Sequence, residues 1–108
     1  MVSDATDDEV FALRDQKFEW NRRKAQANKE HHKVTFRVAA SVFFDSYAVY
    51  GTDDREDYDE DREWIIGMPP ERPQLLHVVY TERGHRLRII SAWKADANDR
   101  DEYRGRSV

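Results

Sequence analysis

The fold turns on Leu75-Leu76-His77-Val78-Val79-Tyr80-Thr81, the turn Glu82-Arg83-Gly84-His85, and Arg86-Leu87-Arg88-Ile89-Ile90-Ser91-Ala92-Trp93. Two runs rich in β-branched and aromatic residues flank a glycine able to take positive φ, which is the pattern of a β-hairpin. In Arg86-Leu87-Arg88-Ile89 the pleat sends both arginines to one face and both aliphatics to the other. The aliphatic face is expected to pack on a helix. The arginine face then meets either solvent or phosphate.

Working outward, Glu63–Met68 reads as a further strand, stopped by Met68-Pro69-Pro70-Glu71-Arg72-Pro73. It completes a three-stranded antiparallel meander with the hairpin. Upstream, Phe18 and Trp20 alternate with Lys17 and Glu19, predicting a short strand. Asn21 is a good N-cap for a helix over Arg22–Lys33. Ala25, Asn28 and His32 form that helix's best stripe, too polar for a core face, so it is expected to cover the sheet edge. Thr35 should cap a second helix ending near Phe44, in which Phe36, Ala39, Ala40 and Phe43 recur at helical spacing and face the core. Tyr47–Tyr50 reads as a short extended piece. Asp96 should cap a final helix carrying Tyr103 and Arg104. The predicted class is α+β: a small antiparallel sheet, made of a short N-terminal strand plus the meander, packed with two N-terminal helices and a C-terminal helix.

The chain has 108 residues, with 22 Asp+Glu against 18 Lys+Arg, a formal charge of −4 and no cysteine. That size fits one domain, and the missing thiols exclude disulfides, thiolate metal sites and a cysteine nucleophile. No stretch approaches the ~18 apolar residues of a membrane helix, and the first residues lack a secretion signal, so a cytoplasmic protein without membrane contact is expected. Charge is segmented: −4 over residues 1–16, +4 over 17–33, −6 over 53–63 and +3 over 64–95. Residues 1–16 read as an acidic arm, in which Val10, Phe11 and Leu13 would make one short helical turn docked on the body, ahead of a single domain at 17–108. The run 53–63 reads as an exposed loop. The basic zones are either solvated faces or a local nucleic-acid surface inside an acidic protein.

The acidic run fails as a calcium loop. Counted from Asp53, the glycine position holds Tyr58 and the bidentate position holds Trp64; counted from Asp57, they hold Arg62 and Met68. His31, His32, His77 and His85 lack zinc-ligand spacing, so neither a metal nor any cofactor is expected. Arg62, Arg83, Arg86, Arg88 and Lys94 group on or beside the hairpin sheet. Guanidinium forks match phosphate oxygens and stabilise the charge that builds on a phosphorane, although exposed arginines on a strand are common.

Phe18-Glu19-Trp20-Asn21 with Lys24 and Asn28, then His32-Lys33-Val34-Thr35-Phe36, Arg62 five residues before Gly67, Val79-Tyr80-Thr81-Glu82-Arg83 and Arg86–Ala95 resemble, in order and spacing, the BrnT family. These are ribonuclease toxins of type II toxin–antitoxin pairs. The resemblance spans residues 17–104 and implies a RelE-like fold, cleavage of RNA, and neutralisation by a BrnA-type antitoxin through which alone operator DNA would be contacted. The chain departs from the family's usual residues at Lys33 (Gly), Glu56 (His) and Trp93 (Arg).

Metal-free RNA cleavage needs a base for the 2′-hydroxyl, an acid for the leaving oxygen and cations for the phosphorane. Arg62, Arg88 and Lys94 are the candidate catalytic cations, with Arg83, Arg86 and Tyr103 as RNA contacts. His32 is the acid–base candidate because its ordinary pKa is near neutrality, and it could equally cap the first helix. Glu60 is a second base candidate, more simply read as solvated; Tyr103 could bury its ring, and His77 reads as structural. The competing hypothesis is a protein-interaction module, or an inactive toxin homologue, whose arginines dock a partner.

Overall fold

Proline, glycine and capping residues divide the chain at the places where its hydrophobic period changes. The computed structural model describes residues 7–54 and 61–107; the expectations on Glu56 and Glu60 lie outside them. Strand β1 (Asp8–Leu13) leads through a two-residue turn to β2 (Gln16–Asn21), followed by α1 (Arg22–His32), α2 (Phe36–Ser41) and a 3-10 turn at Val42–Phe44. Then come β3 (Val49–Thr52), β4 (Glu63–Gly67), β5 (Leu76–Arg83), β6 (Arg86–Lys94) and α3 (Ala97–Ser107). The six strands form one sheet in the order β1-β2-β6-β5-β4-β3.

This sheet is larger than the predicted one and mixed, not purely antiparallel. The hairpin β5–β6 and its neighbour β4 are the expected meander. Strand β2, however, lies parallel to β6, with Phe18 opposite Leu87 and Glu19 opposite Arg88. The expected extended piece pairs with β4 as strand β3. The expected helical turn at Val10, Phe11 and Leu13 is instead β1, paired with β2 from Asp8–Asn21 to Leu13–Gln16. Segment 1–16 is therefore not simply an arm, since its residues Asp8–Leu13 extend the sheet. Phe11 and Leu13 supply the physical reason: two residues apart, they share one face of a strand and both reach the main core beside Trp20 and Phe18, whereas on a helical turn they would point apart.

One face of the sheet carries Phe18, Trp20, Ile65, Leu76, Val78, Tyr80, Ile89 and Ala92 against Val34, Phe36, Ala39, Ala40 and Val42, all buried. The aliphatic side of β6 thus packs on α2, as its alternation requires. The second face is covered in part by α3, where Tyr103 joins Val49, Ile66, Leu75 and Ala95. An extra residue in β6 opposite Val79/Tyr80 makes a bulge and shifts the register there.

Helix α1 lies along the edge of β6, as its polar stripe predicts. Asn28 is buried, donates to the carbonyls of Ala92 and Val34 at 2.9 Å each, and accepts from the Ala92 N–H at 3.1 Å. The helix starts on the Asn21 side-chain cap and ends on Lys33 at φ 61°, in the left-handed region. Lysine is strained there, so Lys33→Gly is expected to raise stability by about 0.5–1 kcal/mol, read as a higher urea midpoint at unchanged slope. An unchanged or lower midpoint would show that the Lys33 ammonium, which donates to the Glu30 carbonyl at 2.8 Å, offsets the strain.

Candidate phosphate-binding surface

The β5–β6 turn is two residues long, Gly84-His85, with Gly84 at φ 60°. It sets Arg83 opposite Arg86 and Thr81 opposite Arg88. Parallel pairing with β2 brings Glu19 beside Arg88, and β1 adds Asp8 on the same face. On the other side of β5, Arg62 precedes β4, and Thr81 is anchored there by a 2.6 Å hydrogen bond to the Asp61 carbonyl. The alternation of β4 puts Arg62 on the face of Trp64 and Ile66, in the same cross-strand row as Thr81, Arg88 and Glu19.

Within this row Arg88 is paired with two carboxylates. Its Nη1 and Nη2 donate to the two oxygens of Asp8 at 3.0 and 3.1 Å, a bidentate pair, and Nη1 also donates to Glu19 at 2.7 Å. Glu19 is itself buried, 8% exposed, and lies 3.6 Å from Arg86. The Arg88 hydrogen bonds hold Asp8 below the usual carboxylate range against the opposing effect of its partial burial, with the charges of Arg83 and Arg22 adding to the lowering. The same bonds raise Arg88 further, so it stays charged. Arg83, Arg86 and Arg88 thus surround two carboxylates and leave one positive charge in excess. Arg86 and Arg83 remain exposed.

The other predicted site residues stand apart. Lys94 is six residues beyond Arg88 on the same strand, about 20 Å away at ~3.3 Å per residue, so it does not join the arginines. His32 belongs to that distant end: its ring lies 6.0 Å from Trp93 and beside His31. Burial first, and the neighbouring His31 charge second, push its pKa below the ordinary value, so the neutral imidazole is favoured at pH 7 and is a weaker base than a free histidine. Tyr103 donates to Asp45 at 2.7 Å, and burial with that carboxylate pushes its phenol up to about 12. It is held under α3, away from the arginines. The expectation of one converging set therefore divides into the arginine row, the His32–Lys94 end and the Tyr103 anchor.

Sequence reasoning passed over two groups that the structure makes prominent, Asp8 and Glu19, the arginines' partners. His77, read from the sequence as structural, has its Nδ1 3.0 Å from Asp99 and its ring stacked on Trp93 at 4.5 Å, with Trp64 at 5.7 Å on the next strand. Gly51 leaves the space for that ladder, because a Cβ there would fall inside the Trp64 indole. Asp99 and Asp96 also cap each other's backbone N–H, so His77 ties the start of α3 to the sheet. This agrees with the structural reading of His77.

Among the described residues no helix is long and apolar enough to cross a membrane. A family model described as "Ribonuclease toxin, BrnT, of type II toxin-antitoxin system" matches residues 20–99. Among solved structures, the 1.1 Å crystal structure of the Brucella abortus ribonuclease toxin, BrnT, is similar with a TM-score of 0.47 and 19% identity, over 71% of this chain and 92% of that one. No curated protein matches.

Proposed function

We propose that this chain, which belongs to the BrnT family of ribonuclease toxins of type II toxin–antitoxin systems, is itself a cytoplasmic, metal-independent endoribonuclease restrained by a BrnA-type antitoxin. The observation that supports it beyond the family match is the grip of Arg88 on Asp8. A guanidinium fork that holds two carboxylate oxygens at 3.0 and 3.1 Å has the geometry that holds two phosphate oxygens. Arg83 and Arg86 flank it and would bind neighbouring phosphates, and Arg62 approaches along the same row. Of the titratable side chains, Glu19 touches Arg88 most closely and is the group placed to take the 2′-hydroxyl proton from an RNA lodged there. His32 and Lys94, at the far end of β6, would contact the strand several nucleotides away.

One observation favours a second reading, an inactive homologue or interaction module: Arg88 is already occupied by carboxylates. Expression of the chain alone, followed by incubation of purified protein with RNA in EDTA, separates the two. A ribonuclease arrests growth and yields mapped RNA ends, and Arg83→Gln with Arg86→Gln lowers cleavage by about 10–100-fold, two charged phosphate contacts being lost at an exposed site. Intact RNA beside a tight complex with the neighbouring gene's product would establish the module.

A further inference from the structure

Arg88 carries its two carboxylates in different ways. Glu19 approaches Nη1 alone, from β2, inside the sheet face, with its side chain 11% exposed. Asp8 approaches end-on, across both Nη1 and Nη2, from the first residue of β1, and its side chain is 26% exposed. One Nη1 hydrogen suffices for Glu19, which leaves the outer fork to whatever anion lies in front of it. Glu19 therefore orients the guanidinium, whereas Asp8 occupies its ligand position. Strand β1 also lies outside the residues matched by the family model, 20–99, while Glu19 and Arg88 flank or fall within them.

We propose that β1 is an intramolecular competitor for RNA: the Asp8 carboxylate fills the phosphate position of Arg88, and RNA binds there only when Asp8 is displaced. Displacement need not unfold the strand. Asp8 is at the start of β1, whereas Phe11 and Leu13 pack on the core side and hold the remainder of the hairpin. The Arg88 hydrogen bonds favour the ionised form of Asp8, so the carboxylate is a full negative charge at neutral pH and the competitor is always present. The chain thereby sets its own affinity for RNA lower than its arginines allow, before any partner binds.

This inference rests on the arginine row being an RNA site, and its test separates the two claims. The full chain, Asp8→Asn, Asp8→Ser and Asp7→Asn are titrated into a fluorescent 2′-O-methyl RNA oligonucleotide, which cannot be cleaved, with anisotropy as the readout. Asp7 pairs with Arg23 at 3.3 Å, so Asp7→Asn removes one negative charge from the same segment without touching Arg88. Asp8→Asn and Asp8→Ser are expected to bind about tenfold more tightly than the parent, the equivalent of one charge-assisted contact returned to phosphate, with Asp7→Asn within about twofold of the parent. Their salt dependence should steepen by about 0.7 in log–log slope, the increment for one phosphate contact on a single strand. Melting curves recorded alongside identify any variant whose fold is lost, and the serine and asparagine forms back each other up. If the parent binds RNA and both Asp8 variants bind no better than Asp7→Asn, the competitor role is overturned and the RNA site stands. Weaker binding by both would overturn it too, making Asp8 a positioning residue. No binding by any form would overturn the RNA site itself.

Discussion

Asn28→Leu is expected to lower the unfolding free energy by about 3–5 kcal/mol, because a buried N–H and two buried carbonyls lose their partners at about 1–3 kcal/mol each. The loss is concentrated at one place in the fold. Strand β2 pairs with β6 over residues 17–19 against 86–88, then turns into α1 at Arg22. From there on β6 has no strand on that side, and the Asn28 amide substitutes for one at Ala92 while also bonding Val34. Leucine matches the volume and supplies none of this. Asn28→Asp tests the cause: it can still accept from the Ala92 N–H but repels both carbonyls, so it should recover little. Urea denaturation with an unchanged slope and a much lower midpoint is the expected outcome. A deficit below about 1 kcal/mol would mean that water replaces the amide at this edge.

That dependence shows what a sequence can and cannot disclose. The polar stripe of α1 was legible as an edge-covering face because Ala25, Asn28 and His32 are a poor core, and α2 was legible from its aromatic spacing. Strand β1 was not. Its turn, Arg14-Asp15, contains no glycine or asparagine although Arg14 adopts φ 55°, so the usual hairpin punctuation is missing. Its acidic start and short apolar run also fitted an arm. The parallel register of β2 on β6 was equally hidden, since parallel pairing is made across an intervening helix–strand connection and leaves no local mark.

The same omission governs the candidate site. The alternation in Arg86-Leu87-Arg88-Ile89 correctly put two arginines on one face, but not what they meet there. Their partners come from β1 and β2, the two strands whose placement depends on tertiary pairing. Lys94 was grouped with the arginines because it shares their strand; six residues of extended chain carry it out of range. His32 was chosen for its pKa, and its neighbour Trp93 takes it to the opposite end of β6.

Arg88→Met is expected to destabilise the chain by about 2–3 kcal/mol at pH 7, less than the loss from a fully buried ion pair because the Arg88 and Asp8 side chains stay 15% and 26% exposed. Methionine fills the volume of the arginine stem but leaves Asp8 and Glu19 close together, with Arg86 at 3.6 Å as the remaining cation on Glu19. Replacing all three, as Asp8→Asn, Glu19→Gln and Arg88→Met, should restore most of the loss, since a neutral set of similar size has no stranded charge. Acid distinguishes the single variant from its parent. In the parent, Asp8 has a folded pKa lowered by Arg88, so its contribution is fully present above the unfolded value of ~3.9 and is lost as pH falls through the folded one. In the variant, protonation discharges carboxylates that repel each other, so its deficit narrows over the same fall. Denaturation midpoints for parent and variant should therefore converge between pH 7 and about pH 3, and parallel curves would show that the two carboxylates are not coupled through Arg88. Absent growth arrest from an Arg88 variant consequently reports on folding as much as on chemistry. Arg83→Gln with Arg86→Gln, on exposed side chains at the same row, separates the two: if its melting curve matches the parent's, any activity it loses is lost at the surface and not through the fold.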